Sequence, residues 1–392
     1  MSYDAIDLYA GAGGWDQAAR QLGLSTVGLE IWHDACVTAV RAGHPRIRCD
    51  IATYPTAPFA GVPGVIASPP CQPWSNAGKQ LGKLDQPRVH DLVDRMAAGD
   101  DRWQDMPWED DRSHHAAQPT RWVRDLMPEW AAFEQVPEVL PLWEHIGRVL
   151  RGWGYDVWTG KLCAADYGVP QTRVRAVLIA SRVRRVSQPT PTHYDPERYG
   201  YGLFGTPWVT MAEALGWSGG DVLQSRRDSP KWVAEHGARE NRTASSPAPT
   251  ITGEAFRWKL SVGARSNATV RDLDQPAATI LCSRPGNLLW TLQTGANTEL
   301  GAGRVERYER TTDRPAPTVI GNTGRWKVAA GERPVDLAEA AVLQSFPADY
   351  PWHGNKTSTF QQVGNAVPPG LGAPVLAVAA GVPAAARMDL AA

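Results

Sequence analysis

Short apolar runs alternate with helix-like segments through the first half of the chain. Ala5 to Tyr9, Thr26 to Ile31 and Gly64 to Ala67 read as strands; Trp15 to Leu22 and Ala35 to Ala42 read as helices between them. The alternation continues with a helix over Pro119 to Met127, a strand over Trp130 to Val136, a helix from Leu140 to Arg151 and a strand over Ala176 to Ser181. Strands separated by helices predict a doubly wound α/β domain of Rossmann-like type, with a parallel sheet covered on both faces.

Two stretches break this rhythm. Between residues 85 and 115 charge, Trp and Pro replace clear periodicity, which predicts an exposed loop or lid. After Ser181 a weak repeat appears: Pro247-Ala248-Pro249-Thr250-Ile251, Pro276-Ala277-Ala278-Thr279-Ile280 and Pro315-Ala316-Pro317-Thr318-Val319. Its irregular spacing excludes a solenoid. The expected organisation is a catalytic domain over 1–182, a smaller β-rich, turn-rich domain over 183–325, and a segment 326–392 that returns to the first domain through helices at Ala338 to Gln344 and Gly370 to Ala380.

Composition narrows the class. With 43% hydrophobic and 21% charged residues the chain is neither disordered nor membrane-like. No apolar run approaches the ~18 residues needed to span a bilayer, and the N-terminus lacks a basic signal-peptide start, so a cytoplasmic protein is expected. The five cysteines form no CxxC pair, which argues against a zinc site and a disulfide framework; no metal is expected, and the adjacent His114-His115 does not change that. The net charge of -1 does not exclude nucleic acid, since acids between 100 and 111 can balance a basic cleft.

Candidate chemistry sits at the strand ends. The turn Asp7-Leu8-Tyr9-Ala10-Gly11-Ala12-Gly13-Gly14 closes the first strand and opens a helix, a setting in which backbone amides approach a nucleotide-like ligand. GxGG lacks the third spaced glycine of the dinucleotide motif, which disfavours hydride chemistry. Glu30, ending the second strand, is placed to accept from a ribose diol, and Asp50 to receive an adenine amino group. In Pro70-Cys71-Gln72-Pro73 the prolines hold one loop shape at little ordering cost, presenting Cys71 at a strand end as a nucleophile. Arg173 and Arg175, two apart, point to one face of a strand.

Taken in order, these motifs resemble the cytosine-5 DNA methyltransferases, in particular the type II modification enzymes of bacteria or phages. The resemblance spans almost the whole chain, through Glu134-Gln135-Val136, Gln171-Thr172-Arg173-Val174-Arg175, Arg333 to Pro347, and Gln362-Val363-Gly364-Asn365-Ala366-Val367-Pro368-Pro369. It implies S-adenosyl-L-methionine as cofactor, with S-adenosyl-L-homocysteine as product. Asp7, Tyr9, Gly11, Gly13 and Gly14 would contact it from the first turn, Glu30, Ile31, Asp50 and Ile51 from the next two strand ends, and Pro70, Asn365 and Ala366 from the remaining loops. The catalytic set would be Cys71, whose thiolate attacks cytosine C6; Glu134, which supplies electron demand at N3; Arg175 at the base; and Arg173 in support or on a phosphate. Because C6 is inaccessible inside a duplex, the base must be flipped.

Double-stranded DNA is the implied partner, with a restriction endonuclease of the same specificity as a further one and a monomer as the working unit. Gln72 and Ser75 would hold the extruded nucleotide, and Lys79 and Lys83 the backbone. In the inserted domain Arg257 and Lys259, with Arg226, Arg227, Arg284 and Arg304, are candidates for base reading. The alternatives are the family's RNA-methylating branch and a relative that binds DNA or cofactor without catalysis.

Three departures carry expectations of their own. Gln135 stands where the family commonly has Asn bracing the Pro-Cys loop; being one methylene longer, it needs a shifted loop or another partner. Tyr9 replaces Phe and brings a hydroxyl that needs a partner. Ile31 replaces a larger apolar residue, for which Trp32 is the available substitute.

Overall fold

Nearly every residue of β1 (Ala5–Leu8), β2 (Thr26–Glu30), β4 (Gly64–Ala67) and β5 (Trp130–Gln135) is buried, as strands covered on both faces require. With β3 (Arg46–Arg48), β6 (Asp156–Cys163) and β8 (Val174–Ser181) they form a seven-stranded sheet of order β3-β2-β1-β4-β5-β8-β6. β7 (Gln171–Thr172) lies just before β8, outside this sheet. The computed structural model describes residues 3–74, 81–195, 205–216, 222–224, 242–243, 245–249, 251, 259–261, 291–292, 310–311 and 333–383.

Strands β1 to β5 run parallel, whereas β8 runs antiparallel to both of its neighbours. The strand order reverses between β1 and β4, a topological switch point where open α/β sheets bind ligands beyond the carboxyl ends of their strands. Because β8 is reversed, its N-terminal end meets the C-terminal end of β5, with Gln135 opposite Ala176. Arg173 and Arg175 are thereby delivered to the same edge as Cys71 and Glu134.

Period-two alternation divides the core. Ile6, Leu8, Val65, Phe133 and Leu178 pack with α3 (Gly82–Ala97), α4 (Gln118–Leu126) and α5 (Leu140–Gly152). Ala5, Ile66, Trp130, Val177 and Ile179 pack on the other face with α1 (Gly14–Gln21) and the C-terminal helix Pro369–Ala380. Helix α2 (His33–Arg41) lies beside β2 and β3. The stretch Lys356–Ala380 is long and apolar enough to cross a membrane by composition, yet most of it is buried within the protein, as in a core helix.

The stretch 85–115 departs from its sequence expectation. Instead of an exposed loop it begins within helix α3, whose Val89, Leu92, Val93 and Met96 are fully buried at helical spacing. Each such burial contributes about 1.5–3 kcal/mol, which outweighs the roughly 3 kcal/mol cost of Pro87 inside a helix. Buried Asp85 fastens the following segment: its carboxylate accepts from the Glu109 and Asp110 amides at 2.9 and 3.0 Å and from Ser113 Oγ at 2.7 Å. Strand β6 was also absent from the sequence expectation, because a half-exposed edge strand carrying Gly160 and Lys161 lacks a continuous apolar run.

Residues 222–224, 242–243 and 259–261 make a four-stranded antiparallel sheet with 333–334, which lies beyond the 183–325 span expected for the smaller domain, and Ala248–Pro249 pairs in parallel with β7. Ala248 and Ile251, from the first copy of the sequence repeat, are buried against α6 (Met211–Leu215), α7 (Leu337–Leu343) and α8 (Lys356–Asn365). The other two copies, 276–280 and 315–319, lie outside the described residues.

Two buried imidazoles make stability pH-dependent. Burial pushes His114, stacked on Trp103 at 3.7 Å, down to about 3, and His44 down to about 4. An unfolded histidine titrates near ~6.5. Between those values the unfolded chain holds protons that the folded protein does not, so stability falls as pH drops through the window. Unfolding free energies from urea titrations at pH 7 and pH 5 should differ by about 1–2 kcal/mol per histidine. His114→Phe, which keeps a ring on Trp103, should remove part of that difference.

Candidate active site

The C-terminal ends of β1 to β5 and the start of β8 surround a cavity of about 320 Å³. One end is lined by Tyr9, Gly11, Glu30, Ile31, Asp50 and Ile51; the other by Pro70, Cys71, Gln72, Glu134, Arg173 and Arg175; and Gly14, Asn365 and Ala366 border it from α1 and α8. Most residues expected from sequence to serve the nucleophile and the cofactor therefore face one space.

At the Cys71 end, Arg175 Nε donates to Glu134 Oε1 at 2.8 Å, with both side chains at least nine-tenths buried. The carboxylate is thus held in one orientation beside the cysteine loop. In the free protein burial raises the Cys71 thiol above its ordinary range, and the lowering influence of Arg175 and Arg173 does not overcome it. Desolvation wins because the sulfur has little water and Glu134 opposes the cations.

Arg173 is fully buried, and burial lowers its guanidinium to about 9. Its Nη1 donates to the carbonyls of Gly364 at 2.9 Å and Ile251 at 3.2 Å. These bonds make this side chain a strut between β8, residue Ile251 and α8. Gln171 works beside it: its Oε1 accepts from the Ile251 amide at 2.8 Å, and its Nε2 donates to Leu343 O and to Gln344.

Gln135 has the partner that its extra methylene demanded. Its Nε2 donates to the Pro69 carbonyl at 2.7 Å, and its Oε1 accepts from the Val136 amide at 2.6 Å. The longer amide thereby ties the end of β5 to the loop carrying Cys71.

At the other end, Glu30 accepts from the Gly11 amide at 2.9 Å and the Trp32 amide at 2.7 Å. A carboxylate has about four acceptor positions, so it retains capacity toward the cavity. Asp50 closes its own turn by accepting from the Ala52 amide at 2.9 Å. Arg121 Nη2 donates to the Ile51 carbonyl at 2.6 Å and fixes that turn from behind. Ile31 is 61% exposed at the rim, with Trp32 also lining the space.

Two residues expected at the cofactor do not line the cavity. Asp7 is fully buried with neither carboxylate oxygen hydrogen-bonded, and burial, with Asp16 beside it, raises its pKa well above the usual range. Gly13 instead answers a packing demand: at φ 110°, a Cβ there would meet Tyr350 Oη at 2.7 Å and His44 at 2.8 Å. Gly14 allows a similar close approach, since its Cβ would meet the Val367 carbonyl at 2.2 Å. Lys83 is exposed on α3 and does not line the cavity. Ser75, Lys79, Arg257, Arg226, Arg227, Arg284 and Arg304 lie outside the described residues, as does the side chain of Lys259.

Sequence reasoning missed Arg112 and His115, which line the cavity from the segment taken for a lid. The signal was present in Asp85, whose burial among acids, Trp and Pro is what holds this segment over the sheet.

The sequence model described as "C-5 cytosine-specific DNA methylase" matches residues 3–93 and 107–378. The chain belongs to the C-5 cytosine-specific DNA methylase family. Among curated relatives, the type II methyltransferase M.NgoMIV of Neisseria gonorrhoeae is 26% identical over 376 residues, covering 94% of this chain and 94% of its own. M1.HphI of Haemophilus parahaemolyticus, also a type II methyltransferase, is 26% identical over 389 residues, covering 94% and 84%. Among solved structures, the Dnmt2 methyltransferase of S. pombe aligns with a TM-score of 0.55 at 15% identity over 96% of this chain and 98% of that one. That likeness establishes the shared Rossmann-like methylase fold.

Proposed function

We propose that this family member methylates C5 of a flipped cytosine in double-stranded DNA, taking the methyl group from S-adenosyl-L-methionine. The observation that carries the reading is the convergence of Cys71, Glu134 and Arg175 on one cavity with Glu30, Asp50 and Gly11. The cavity suits such a cofactor: Glu30 and Asp50 offer carboxylate acceptors, Ile51 and Trp32 apolar walls, and a Cβ at Gly11 would meet nothing within 4 Å. When bound, the cofactor supplies an electrophilic methyl on a sulfonium.

Cys71 performs the covalent step. Its sulfur forms a bond to C6 while the pyrimidine ring takes the electron pair, making C5 nucleophilic; after C5 is methylated, loss of the C5 proton and of the Sγ–C6 bond restores the aromatic ring and the thiolate. Burial keeps the thiol protonated in the free protein, so its proton must leave as the base enters. Glu134 meets N3 and draws electron density from the ring, and Arg175 orients that carboxyl while serving cytosine O2. Arg173 and Gln135 hold these groups in place without touching the base.

Duplex DNA is favoured over RNA by the names of the curated relatives, which are type II methyltransferases. A restriction endonuclease reading the same site is the natural counterpart of such an enzyme. A single chain joining catalytic and recognition parts suits monomeric action in the cytoplasm. The test is base-resolution 5-methylcytosine sequencing of unmethylated duplex DNA after incubation with the protein and S-adenosyl-L-methionine, run beside total tRNA. Methylation of cytosine in one short duplex context is expected. Methyl transfer to tRNA alone would overturn the DNA reading, and none to either substrate would overturn the enzymatic one.

A further inference from the structure

Tyr9 and His115 form a polar pair on the cavity wall that the chemistry above does not use. Tyr9 Oη lies 3.1 Å from His115 Nδ1 and 3.3 Å from the His115 carbonyl, and the two rings meet edge to face at 5.5 Å. A phenol has one hydrogen. Both contacts are filled together only when Tyr9 donates to the carbonyl and accepts from Nδ1–H. That arrangement puts the imidazole proton on Nδ1 and leaves Nε2 with a lone pair, an acceptor on a residue that lines the cavity.

The pair is held in place from both sides. Tyr9 sits in the left-handed region at φ 61°, which a non-glycine residue adopts only against a steric cost, so its position is enforced by its surroundings. His115 rests on His114 at a centroid distance of 4.1 Å, and His114 on Trp103. Asp50 acts electrostatically on both Tyr9 and His115 and lines the same end of the cavity. Asp50 and His115, which carry a carboxylate and an imidazole nitrogen as acceptors, thus both border the cavity. An exocyclic amino group carries two hydrogens and suits two acceptors; a carbonyl in its place would face both lone pairs.

We propose that His115, oriented by Tyr9, is a cofactor-binding residue that accepts a hydrogen bond from the exocyclic amino group of the adenine ring and, with Asp50, makes the site select an adenosyl over an inosyl ligand. The inference rests on the cofactor reading given under Proposed function and assigns that pocket a specificity-determining residue.

Calorimetric titration of the whole protein with S-adenosylhomocysteine and with its deaminated analogue S-inosylhomocysteine tests it. The unmodified protein should bind the adenosyl compound at least about tenfold more tightly, the scale of one lost hydrogen bond with an acceptor left unpaired. His115→Leu keeps the apolar bulk and should weaken the adenosyl compound about tenfold while leaving the inosyl compound no weaker, and tighter where the opposed lone pair is relieved, so that discrimination shrinks. Tyr9→Phe, which retains the imidazole but frees its orientation, should shift discrimination the same way by a smaller factor, and it serves as the test if His115→Leu does not fold. Equal weakening of both ligands, or no change in either, would overturn the hydrogen bond. Failure of the folded, unmodified protein to bind either compound would instead overturn the cofactor reading itself.

Discussion

Cys71→Ala should abolish methyl transfer to duplex DNA, by at least about 10³-fold in kcat, while binding of S-adenosylhomocysteine and the melting temperature change little. Loss of a nucleophile removes the covalent path itself. Packing is nearly conserved, because a half-buried thiol held above its ordinary pKa is a small neutral group in the resting protein. The same argument fixes a second readout. Alkylation of Cys71 by iodoacetamide should be slow near pH 7 and accelerate only above the ordinary thiol range, since only the thiolate reacts. Duplex DNA containing 5-fluorocytosine has no C5 proton to lose, so it should trap the unmodified protein covalently and leave Cys71→Ala free. A Cys71→Ala protein with near-normal turnover would remove the covalent mechanism, whatever the family.

The parts legible in the sequence were those that local pattern controls. Apolar runs ending in Tyr9, Ile31 and Ala67 announced strands whose ends carry chemistry, and parallel connection by helices forces those ends to one edge. What the pattern did not carry was the direction of β8. Its reversal brings Arg173 and Arg175 to that edge, yet antiparallel pairing with β5 leaves no trace in its apolar run. Long-range contacts were equally hidden. Arg173 and Arg175 look equivalent as a pair, but one is clamped by the carbonyls of Ile251 and Gly364 and the other grips Glu134. The stretch 85–115 was misread because charge on one side of α3 obscured the buried row Val89, Leu92, Val93 and Met96. His115 was hidden with it.

Glu134 and Arg175 carry the second large effect, and a double-mutant cycle separates its two components. Removing one member of a buried ion pair strands the other, at a cost of roughly 3–5 kcal/mol. Glu134→Ala should therefore lower stability by about 3 kcal/mol, given that the pair is slightly exposed. Arg175→Ala should cost a similar amount, and the double variant less than the sum, because no unpaired charge then remains. Glu134→Gln keeps a hydrogen-bond acceptor for Arg175 and should recover part of the stability. Catalysis should respond differently: Glu134→Gln and Glu134→Ala should both lose about 10²–10⁴-fold in kcat, since neither supplies a carboxyl group at N3. Stability rescued by Gln without activity would mark Glu134 as a group acting on the base. Activity recovering in step with stability would mark the pair as a structural support for the Cys71 loop, and would transfer the electronic role to another group lining the cavity.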